Sequence, residues 1–307
     1  MARPVVILGV FVADTAYRAA RMPRLGETVL GRSFVLGPGG KGSNQAVAAA
    51  RAGADVHFIT RLGTDDFAAL ARATWAGAGV TPVITEDPDS YTGAAFIFIE
   101  DATGNNAIII SPGAAARISP ADIDANAGLI RGAGVFVTQL EQPLDAAMRA
   151  LQIARAAGVT TILNPAPAAE LPEGMLALCD LVTPNESEAE SLTGLPVTSV
   201  PGAEAAARAL VAQGAGAAIV TLGENGALWC DGGTAVHVPA FHAGPVAETT
   251  GAGDAFNGAL AAALAEGLDP VAATRFGAAC AAISVTRPGT APSMPARAEI
   301  EALLAGG

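Results

Sequence analysis

The sequence predicts an α/β fold: a three-layer sandwich in which a mainly parallel sheet lies between helices, with a small β-sheet added as a lid. Strand-like apolar runs alternate with alanine-rich helical runs over most of the 307 residues. Two β-type runs interrupt this rhythm before residue 118, and a hydrophobic content of 51% is enough for a large core. We predict one domain over residues 1–307, with lid segments at about 14–36 and 93–111.

The first third of the chain predicts a strand from Val5 to Val12, closed by Asp14. Ser43 is expected to cap the helix "NQAVAAARAG", "DVHFITRLG" to form the next strand, and Thr64 with two following acids to open "FAALARATWAGAG". "GAAFIFIED" and "NNAIIIS", separated by "ATG", predict a hairpin. The region from Tyr17 to Val35 lacks a helical period, so it is assigned to the same small sheet.

Beyond residue 118 the alternation resumes, and repeated strand–helix units imply a parallel sheet between helices. The predicted helices are "SPADIDANAGLI", "PLDAAMRALQIARAAG", "ESEAESLTG" and "AEAAARALVAQG", and the predicted strands are "GVFVTQL", "TTILNPAP", "DLVTPN" and "AAIVTLG". "GALWCDGGTAVHVPAF" predicts an antiparallel edge around an Asp-Gly-Gly turn. Two final helices are expected, from Asp254 and from about Pro270 to Ser284.

Composition excludes several classes of protein. A formal net charge of −12 and a pI near 4.6 disfavour a nucleic-acid or anionic-membrane partner. No run reaches the roughly 20 apolar residues that span a bilayer, so a soluble, cytoplasmic protein is expected. The three cysteines are far apart in apolar stretches, which indicates reduced, buried thiols. The three histidines form no metal-binding spacing.

Polar residues follow several predicted strands at the edge where ligands of parallel sheets bind. Any one of them could simply end a strand or begin a turn. Five such strand ends together favour a polar edge of the sheet, suited to a polyhydroxy substrate and a metal-bound nucleotide. They are Asp14, Glu141, Asn164, Asn185 with Glu186, and the segment "TLGENG".

Lys41 is the single lysine among the 17 basic residues, and it lies in the glycine-dense stretch "GPGGKGSNQ". A compact ammonium fits a tight backbone cage that a guanidinium does not, so Lys41 is predicted to bind a ligand.

The stretch "ETTGAGDAFNGAL" puts Gly251, Gly253 and Asp254 at the start of a helical pattern. Two interpretations stay open on these residues alone. The glycines could form a turn with Asp254 as the helix cap. Alternatively, bare N–H groups at a helix N-terminus bind an anion, and Asp254 accepts a proton from a nucleophile that attacks a phosphoryl group.

The common nucleotide motifs are absent. "GPGGKGS" fails the P-loop pattern because Gly42 follows Lys41, and no GxGxxG follows the first strand, which disfavours a dehydrogenase. Neither a GxSxG elbow nor a protein-kinase signature is found.

The pair "GGKGSNQAVAAARAGA" (39–54) and "TTGAGDAFNGAL" (249–260) resembles the two signatures of the ribokinase, or pfkB-type, family of carbohydrate kinases. The resemblance covers nearly the whole chain and includes "TQLEQP", "LNPAPA", "TPNESEAESLTG", "VTLGENG" and "TRPGTAPSMP". It implies an ATP- and Mg²⁺-dependent kinase for a sugar primary hydroxyl, with ribose favoured as the sugar and potassium as a supporting monovalent cation.

The resemblance also implies roles for individual residues. Asp254 is the expected base, and the expected anion hole is Gly251, Ala252 and Gly253. The positions expected to bind the sugar are Asp14, Gly40, Lys41, Gly42, Asn44 and Glu141. Those expected at the nucleotide are Asn185, Thr221, Gly223, Glu224, Gly226, Gly253 and Ala278. Glu188 is expected near Mg²⁺, through water. Those expected around the monovalent cation are Glu248, Thr250, Ser284, Arg287, Gly289 and Ser293.

Two positions depart from the family pattern. Val12 stands where ribokinases commonly have an asparagine that hydrogen-bonds the sugar, so a sibling kinase for another sugar, sugar acid or nucleoside is the alternative. Glu248 replaces the usual cation-binding aspartate. A non-catalytic sugar-binding protein is the rival of another class. The two-faced lid, with apolar runs such as "AAFIFI", further predicts a homodimer.

Overall fold

The computed structural model describes residues 3–306 and contains two β-sheets. The strands are β1 Val5–Leu8, β2 Val12–Ala19, β3 Ser33–Gly39, β4 Val56–Leu62, β5 Val80–Glu86, β6 Thr92–Glu100, β7 Asn106–Gly113, β8 Val135–Thr138, β9 Thr160–Leu163, β10 Leu181–Val182, β11 Ala217–Thr221, β12 Ala227–Cys230 and β13 Ala235–Val238. The helices are α1 Lys41–Arg51, α2 Asp66–Ala78, α3 Pro120–Ala125, α4 Ala127–Gly132, α5 Leu144–Ala156, α6 Glu186–Thr193, α7 Val200–Ala212, α8 Ala252–Ala265, α9 Pro270–Ser284 and α10 Arg297–Gly306.

The larger sheet has nine strands in the order β13-β12-β11-β10-β9-β8-β1-β4-β5. β12 and β13 are antiparallel and the other pairings are parallel. β1 is buried along its whole length, as expected of a parallel strand covered on both faces. Val5 and Ile7 face the core beneath α1, α2, α8 and α9, whereas Val6 and Leu8 face the core beneath α3, α4 and α5. The predicted three-layer α/β sandwich is confirmed.

The smaller sheet has four strands in the order β3-β2-β6-β7 and is called the small sheet below. β6 and β7 form the predicted hairpin, and β2 and β3 come from the region without helical period. β2 pairs in parallel with β6, which joins the two hairpins into one sheet. Consecutive apolar residues of β3 and β7 are exposed, so neither face of the small sheet is fully covered.

The predicted first strand from Val5 to Val12 is wrong, because β1 ends at Leu8 and the chain then enters a second sheet. A Cβ on Gly9 would lie 2.7 Å from the Cα of Gly42, so the chain leaves the large sheet where it touches α1. Val12 pairs with Gly39 as the small sheet begins. Asp14 therefore lies inside β2 and not at the end of β1.

Ser43 does not cap a helix. Helix α1 begins at Lys41 with Gly40 as its N-cap, and the buried Ser43 hydroxyl accepts a hydrogen bond of 2.9 Å from the Trp75 indole. The Ser43 hydroxyl therefore bonds to a side chain distant in sequence and does not form the helix cap that the local pattern predicts. At α2, by contrast, Asp65 accepts from the Ala68 amide at 3.0 Å, within the acidic segment that was predicted to open the helix.

Three further elements differ from the prediction. The helix expected over "SPADIDANAGLI" is broken at Asn126 into α3 and α4. Strand β5 was not predicted, since its edge position leaves most of its side chains partly or fully exposed. A third final helix, α10, follows α9; Ile300 is its one buried residue, which gives a weak periodic signal.

The global expectations can be compared with the described part of the chain. Cys179, Cys230 and Cys280 are free and buried, as predicted. Among residues 3–306, no cluster of three or more acidic, histidine or cysteine side chains is arranged to hold a metal. Within the same range, no helix combines the length and the apolar character that crossing a membrane requires.

Candidate functional site

Two glycine-rich helix N-termini form the frame of the site. The N-cap residues Gly40 of α1 and Gly251 of α8 have φ values of 88° and 83°, in the left-handed region that favours glycine. The helices pack closely, since a Cβ on Gly258 would lie 2.4 Å from the Gln45 carbonyl oxygen. The first-turn N–H groups of a helix lack intrahelical acceptors, so the N-terminus of α8 can bind an anion. At α1 the N–H groups of Lys41 and Ser43 already donate, to Glu141 Oε2 and to the Val10 carbonyl oxygen.

Asp254 lies in the first turn of α8 and its side chain is buried. It makes no capping hydrogen bond, so the interpretation of Asp254 as a helix cap is wrong. One carboxylate oxygen, Oδ2, accepts from Asn44 Nδ2 at 2.9 Å, and Oδ1 accepts from Gln45 Nε2 at 3.1 Å. Helix α1 thus supplies both donors, and each oxygen keeps a lone pair for a further proton donor.

Burial raises the pKa of Asp254 above its ordinary value. The positive charge of Lys41 and the hydrogen bonds from Asn44 and Gln45 oppose that rise because they stabilise the ionised form. The carboxylate is therefore more basic than an exposed aspartate, as general-base catalysis requires.

Two further carboxyls lie on the α1 side of the site. Glu141 Oε2 accepts from the backbone N–H of Lys41 at 2.8 Å, and burial raises its pKa to about 7. Burial, and then the charge of Glu248, raise the pKa of Asp14 to about 6. A Cβ on Gly39 would lie 2.3 Å from Asp14 Oδ2, so glycine makes room for this carboxyl. Oxygens held in this way can accept hydrogen bonds from sugar hydroxyls.

Val12 lies on the same face of β2 as Asp14. The two residues are separated by one position in β2, so their side chains project from the same face of the strand. Val12 is 5% exposed and packs in the core that includes Val10 and Ala95. At Val12, this face of β2 carries methyl groups and no side-chain hydrogen-bonding atom.

Asn185 and Glu188 begin α6 with a reciprocal capping box. The Asn185 side chain accepts from the Glu188 N–H at 2.9 Å, and Glu188 Oε2 accepts from the Asn185 N–H at 2.9 Å. Burial raises the pKa of Glu188, opposed by the Asn185 hydrogen bond and the charge of Lys41. A buried carboxylate with one oxygen bound to the backbone can still offer its other oxygen to a hydrated Mg²⁺.

The turn after β11 is shaped by glycines. Thr221 forms an isolated bridge with Asn185, and Gly223–Asn225 form a short 3-10 turn. A Cβ on Gly226 would lie 2.1 Å from the Val238 carbonyl oxygen, so only glycine fits there. Glu224 is exposed in this turn, while Ala278 is buried in α9.

The residues expected to surround a monovalent cation offer mainly oxygen atoms as possible ligands. Glu248 Oε2 accepts from the Gly289 N–H at 2.8 Å. The buried hydroxyls of Ser284 and Ser293 donate to main-chain carbonyls of Ala281 and Thr290, which leaves their lone pairs directed elsewhere. Thr250 is exposed beside the Gly251 turn.

Arg287, the remaining member of that segment, directs its guanidinium to Glu299 of α10. Only its backbone is therefore available to a cation in the segment.

Gly42, expected among the sugar-binding positions, packs against β1. It is buried, and a Cβ there would lie 2.7 Å from Gly9 Cα and 3.0 Å from Gln139 Oε1. Its glycine identity is explained by the close approach of α1 to β1.

The sequence interpretation missed several buried polar residues behind Asp254, namely Gln45, Gln139, Thr183 and Asn257. One signal was available: each interrupts or borders an otherwise apolar run, as in "NQAVAAA" and "DAFNGAL". A polar side chain in such a run needs a partner in the core.

Comparison with known proteins gives three kinds of match. The pattern described as pfkB family carbohydrate kinase matches residues 4–297. The chain is 40% identical over 293 residues to a deoxyribokinase of Salmonella typhi, covering 95% of each chain. It is 37% identical over 300 residues to a ribokinase of Haemophilus influenzae, covering 97% of each. The structure of Arabidopsis thaliana ribokinase complexed with ribose and ATP superposes with a TM-score of 0.94 at 31% identity, covering 99% of each chain.

Proposed function

The chain belongs to the pfkB family of carbohydrate kinases, and from this premise we propose that it transfers the γ-phosphoryl group of ATP to the primary hydroxyl of ribose, giving ribose 5-phosphate and ADP. One observation carries the proposal: a buried carboxylate, Asp254, lies at a glycine-capped helix N-terminus and accepts two hydrogen bonds from a second helix that begins with the only lysine of the chain.

Asp254 acts as the general base. The sugar hydroxyl gives its proton to the carboxylate, its oxygen forms a bond to the γ-phosphorus, and the bond from that phosphorus to the ADP oxygen breaks. The donors Asn44 and Gln45 fix the carboxylate so that its free lone pairs have a defined direction. Orientation of this kind supplies much of the rate in phosphoryl transfer, where positioning matters more than covalent help.

The N-terminus of α8 serves as the anion hole. The backbone N–H groups of the expected hole, Gly251, Ala252 and Gly253, and that of Asp254, which we add to them, would stabilise the charge that develops on the transferring phosphoryl group. The Ala252 N–H also donates to the Thr249 carbonyl oxygen at 3.2 Å, so it would have to share that bond. Mg²⁺, when bound, neutralises phosphate charge, and Glu188 would hold it through water. Thr221, Gly223, Glu224 and Gly226 would contact the nucleotide at the turn after β11, with Asn185 beside them and Ala278 on α9.

The sugar would lie between the small sheet and the N-terminus of α1. Asn44 supports this placement: its Nδ2 is bound to Asp254, but its buried Oδ1 has no partner within residues 3–306. Because the carboxylate accepts only, the amide cannot turn over to satisfy that oxygen. A sugar hydroxyl would satisfy it, alongside Asp14, Glu141, the Lys41 ammonium and the Gly40 backbone.

A potassium ion would support the anion hole from the segment between Ser284 and Ser293. Carboxylate, hydroxyl and carbonyl oxygens suit a hard monovalent cation. The longer side chain of Glu248 already reaches the Gly289 backbone in this segment, so the replacement of the family's aspartate does not withdraw the carboxylate from it.

A second sugar, 2-deoxyribose, is favoured by Val12. The pocket wall is apolar where the family's ribokinases carry an asparagine, and a sugar lacking a hydroxyl loses nothing against valine. The similarity to a deoxyribokinase at 40% identity points the same way.

The small sheet would close over the sugar as a lid and also mediate a homodimer. Ile108, Ile109 and Ile110 of β7 are consecutive and exposed, so apolar side chains project from both faces. One face can cover the site, and a second copy can cover the other.

The proposed function is tested by a coupled ADP-release assay with ATP and Mg²⁺ against ribose, 2-deoxyribose, fructose, ketodeoxygluconate and adenosine, with and without potassium. Turnover led by ribose supports the proposal, whereas turnover led by 2-deoxyribose supports the second sugar. Absence of turnover with preserved sugar binding would identify a non-catalytic sugar-binding protein.

A further inference from the structure

A continuous chain of buried hydrogen bonds lies behind the proposed base. Gln45 Nε2 donates to Asp254 Oδ1 at 3.1 Å and also to Asn164 Oδ1 at 3.0 Å. The carbonyl oxygen of the same amide accepts from Gln139 Nε2 at 2.6 Å. The amide of Gln45 is thus fully engaged, with one of its two hydrogens committed to the carboxylate.

The chain continues through the ends of two neighbouring strands. Asn164, just after β9, donates from Nδ2 to the Thr183 backbone oxygen at 3.0 Å. The Thr183 hydroxyl, just after β10, donates to Asn257 Oδ1 at 2.6 Å. These three side chains are at most 6% exposed, so water does not replace one link with another.

Asn257 closes the chain into a ring. Its Nδ2 donates to the Gly253 carbonyl oxygen at 2.8 Å, and Gly253 precedes Asp254 in the first turn of α8. The peptide group between these two residues carries one of the N–H groups assigned to the anion hole. A hydrogen bond to its oxygen therefore fixes the direction of the N–H on the opposite side.

The carboxylate determines the direction of the Gln45 amide, and the backbone carbonyls of Thr183 and Gly253 determine those of Asn164 and Asn257. An ionised aspartate accepts only, so Gln45 must present its NH₂ group to Asp254 and its oxygen to Gln139. A reversal of the Gln45 amide would place oxygen against oxygen at both contacts. The amides of Gln45, Asn164 and Asn257 therefore have one satisfied orientation each, which makes this part of the network rigid, while the Thr183 hydroxyl has a second, longer contact of 3.4 Å to the Leu163 carbonyl oxygen.

We propose that Gln45, Asn164, Thr183 and Asn257 are positioning residues that hold the carboxylate of the base and the peptide plane of the anion hole in one fixed relation. This inference rests on the proposed function, because it assigns the ring a role in the same phosphoryl transfer. Neither a ligand contact nor a proton transfer is assigned to these four residues.

Charged groups also surround Asp254, and they must be separated from the effect of the ring. Lys41 lowers the pKa of Asp254, whereas Glu141 and Glu188 are the neighbouring carboxyls that interact with it through their charges. Substitutions within the ring leave those three groups in place. A change in the pH profile of such a variant is therefore attributable to the lost hydrogen bond.

The first test uses Thr183→Val, which keeps the side-chain volume and removes the hydroxyl, with Thr183→Ser as the variant that restores it. We expect the valine variant to lower kcat roughly tenfold while both KM values stay within twofold, and the serine variant to recover most of the rate. Thr161→Val is the control, since Thr161 is equally buried and its hydroxyl, which donates to Leu178 O and accepts from the Asp180 N–H, lies at the distant end of β9.

The second test uses Gln45→Met, which removes the donor to the base. We expect a lower kcat and an acid limb of the kcat–pH profile displaced to higher pH, because loss of a hydrogen bond to the ionised carboxylate raises its pKa. A purely structural role would lower thermal stability, as we expect Thr161→Val to do, and leave the acid limb in place. An unmoved limb in a folded Gln45→Met protein, together with wild-type kcat in Thr183→Val, would overturn the proposal.

A readout independent of turnover separates this proposal from the proposed function. Carbon-13 NMR of carboxyl-labelled aspartate follows the Asp254 signal, assigned through its loss in Asp254→Asn. If the wild-type protein phosphorylates no sugar, the proposed function fails; a higher Asp254 pKa in Gln45→Met would then still support the positioning role, and an identical pKa would refute it.

Discussion

The packed N-terminal halves of α1 and α8, called the floor of the site below, differ from the small sheet in how far their side chains are buried. Beneath the site, α1 and α8 touch through glycine, and the side chains that hold Asp254 are buried and connected in a closed set of hydrogen bonds. In the small sheet, apolar side chains such as Phe34 and Ile109 are exposed, Ile109 by 63%. The side chains of the floor are thus buried by contacts within one chain, whereas the small sheet leaves apolar side chains exposed.

This difference assigns separate tasks to the two regions. Chemistry needs groups held in one arrangement, which the close-packed floor provides. We propose that substrate choice and assembly depend on the small sheet, because Val12 and Asp14 lie on one face of β2 and the isoleucines of β7 are exposed. Changes to the floor should therefore lower kcat, and changes to the small sheet should alter selectivity or association.

The largest effect is expected in the floor, from Asp254→Asn. Amide nitrogen cannot take the hydroxyl proton, so kcat should fall by roughly 10²- to 10⁴-fold, the usual contribution of a general base. Binding of ATP and sugar, measured by calorimetry, should change little. The control is Asp269→Asn, which alters an acid that caps α9.

If Asp254→Asn retained turnover within tenfold of the wild type, the floor would not contain the base. The distinction between a chemical floor and a selective small sheet would then fail at its main point.

The next effect concerns the small sheet alone. Ile109→Lys places a charge on the exposed face, so the proposed homodimer should weaken by at least roughly 100-fold, since an unpaired charge in an interface is costly. Analytical ultracentrifugation should show the wild type near twice 30.4 kDa and the variant near 30.4 kDa. Glu173→Lys, at an exposed position outside the small sheet, is the control. A wild type that sediments as a monomer at micromolar concentration would contradict the dimer.

A third prediction compares the two regions through pH. Burial raises the pKa of Glu141 from an ordinary value of 4.5 to about 7, so the folded chain binds this proton more tightly than the unfolded chain. The stability so gained is complete below about pH 4.5 and is lost as the pH rises through 7. The free energy of unfolding of the ligand-free protein should fall by roughly 3 kcal/mol across this window on account of Glu141.

Denaturant titrations between pH 4.5 and 7.5 measure this fall, and Glu141→Gln should remove most of it. Glu173→Gln, at an exposed position, should keep the wild-type slope. An unchanged slope in Glu141→Gln would show that this carboxyl is not the source. Asp14, with a pKa raised to about 6, should contribute a smaller fall of the same sign.

The fold class was predictable because its signals are local. Alternating apolar strands and alanine-rich helices give the large sheet, and the β-type runs around "ATG" give the hairpin of the small sheet. The missed details depend on distant contacts. Ser43 looked like a cap but bonds to Trp75, and the strand from Val5 ends early because Gly9 meets Gly42 across the core.

The same difference between local signals and distant contacts applies to the candidate site. Asp254 and Lys41 could be predicted as site residues because glycine-rich motifs and a unique lysine mark them in the sequence. The ring behind Asp254 was not found, since Gln45, Asn164 and Asn257 are 119 and 93 positions apart in sequence and meet only when five elements have packed. An amide side chain in an apolar run predicts a hydrogen-bond partner in the core, but the sequence does not identify that partner.

The smallest effect, and the one that most sharpens the comparison, is Val12→Asn in the small sheet. Asparagine adds a donor and an acceptor to an apolar wall, so it should favour ribose over 2-deoxyribose by the worth of one neutral hydrogen bond, about 0.5–1.5 kcal/mol. The ratio of the two kcat/KM values should rise roughly 2- to 10-fold. Val12→Ile, which adds no polar atom, should leave the ratio within twofold.

How the change in kcat/KM divides between kcat and KM is as informative as its size. If the small sheet selects the sugar and the floor performs the chemistry, Val12→Asn should act through the KM for ribose, because the bond forms in the ground state and the transition state alike. The turnover number with ribose should remain near that of the wild type. A change confined to kcat would instead mean that Val12 affects the alignment of the hydroxyl with Asp254, and the small sheet would then take part in the chemistry.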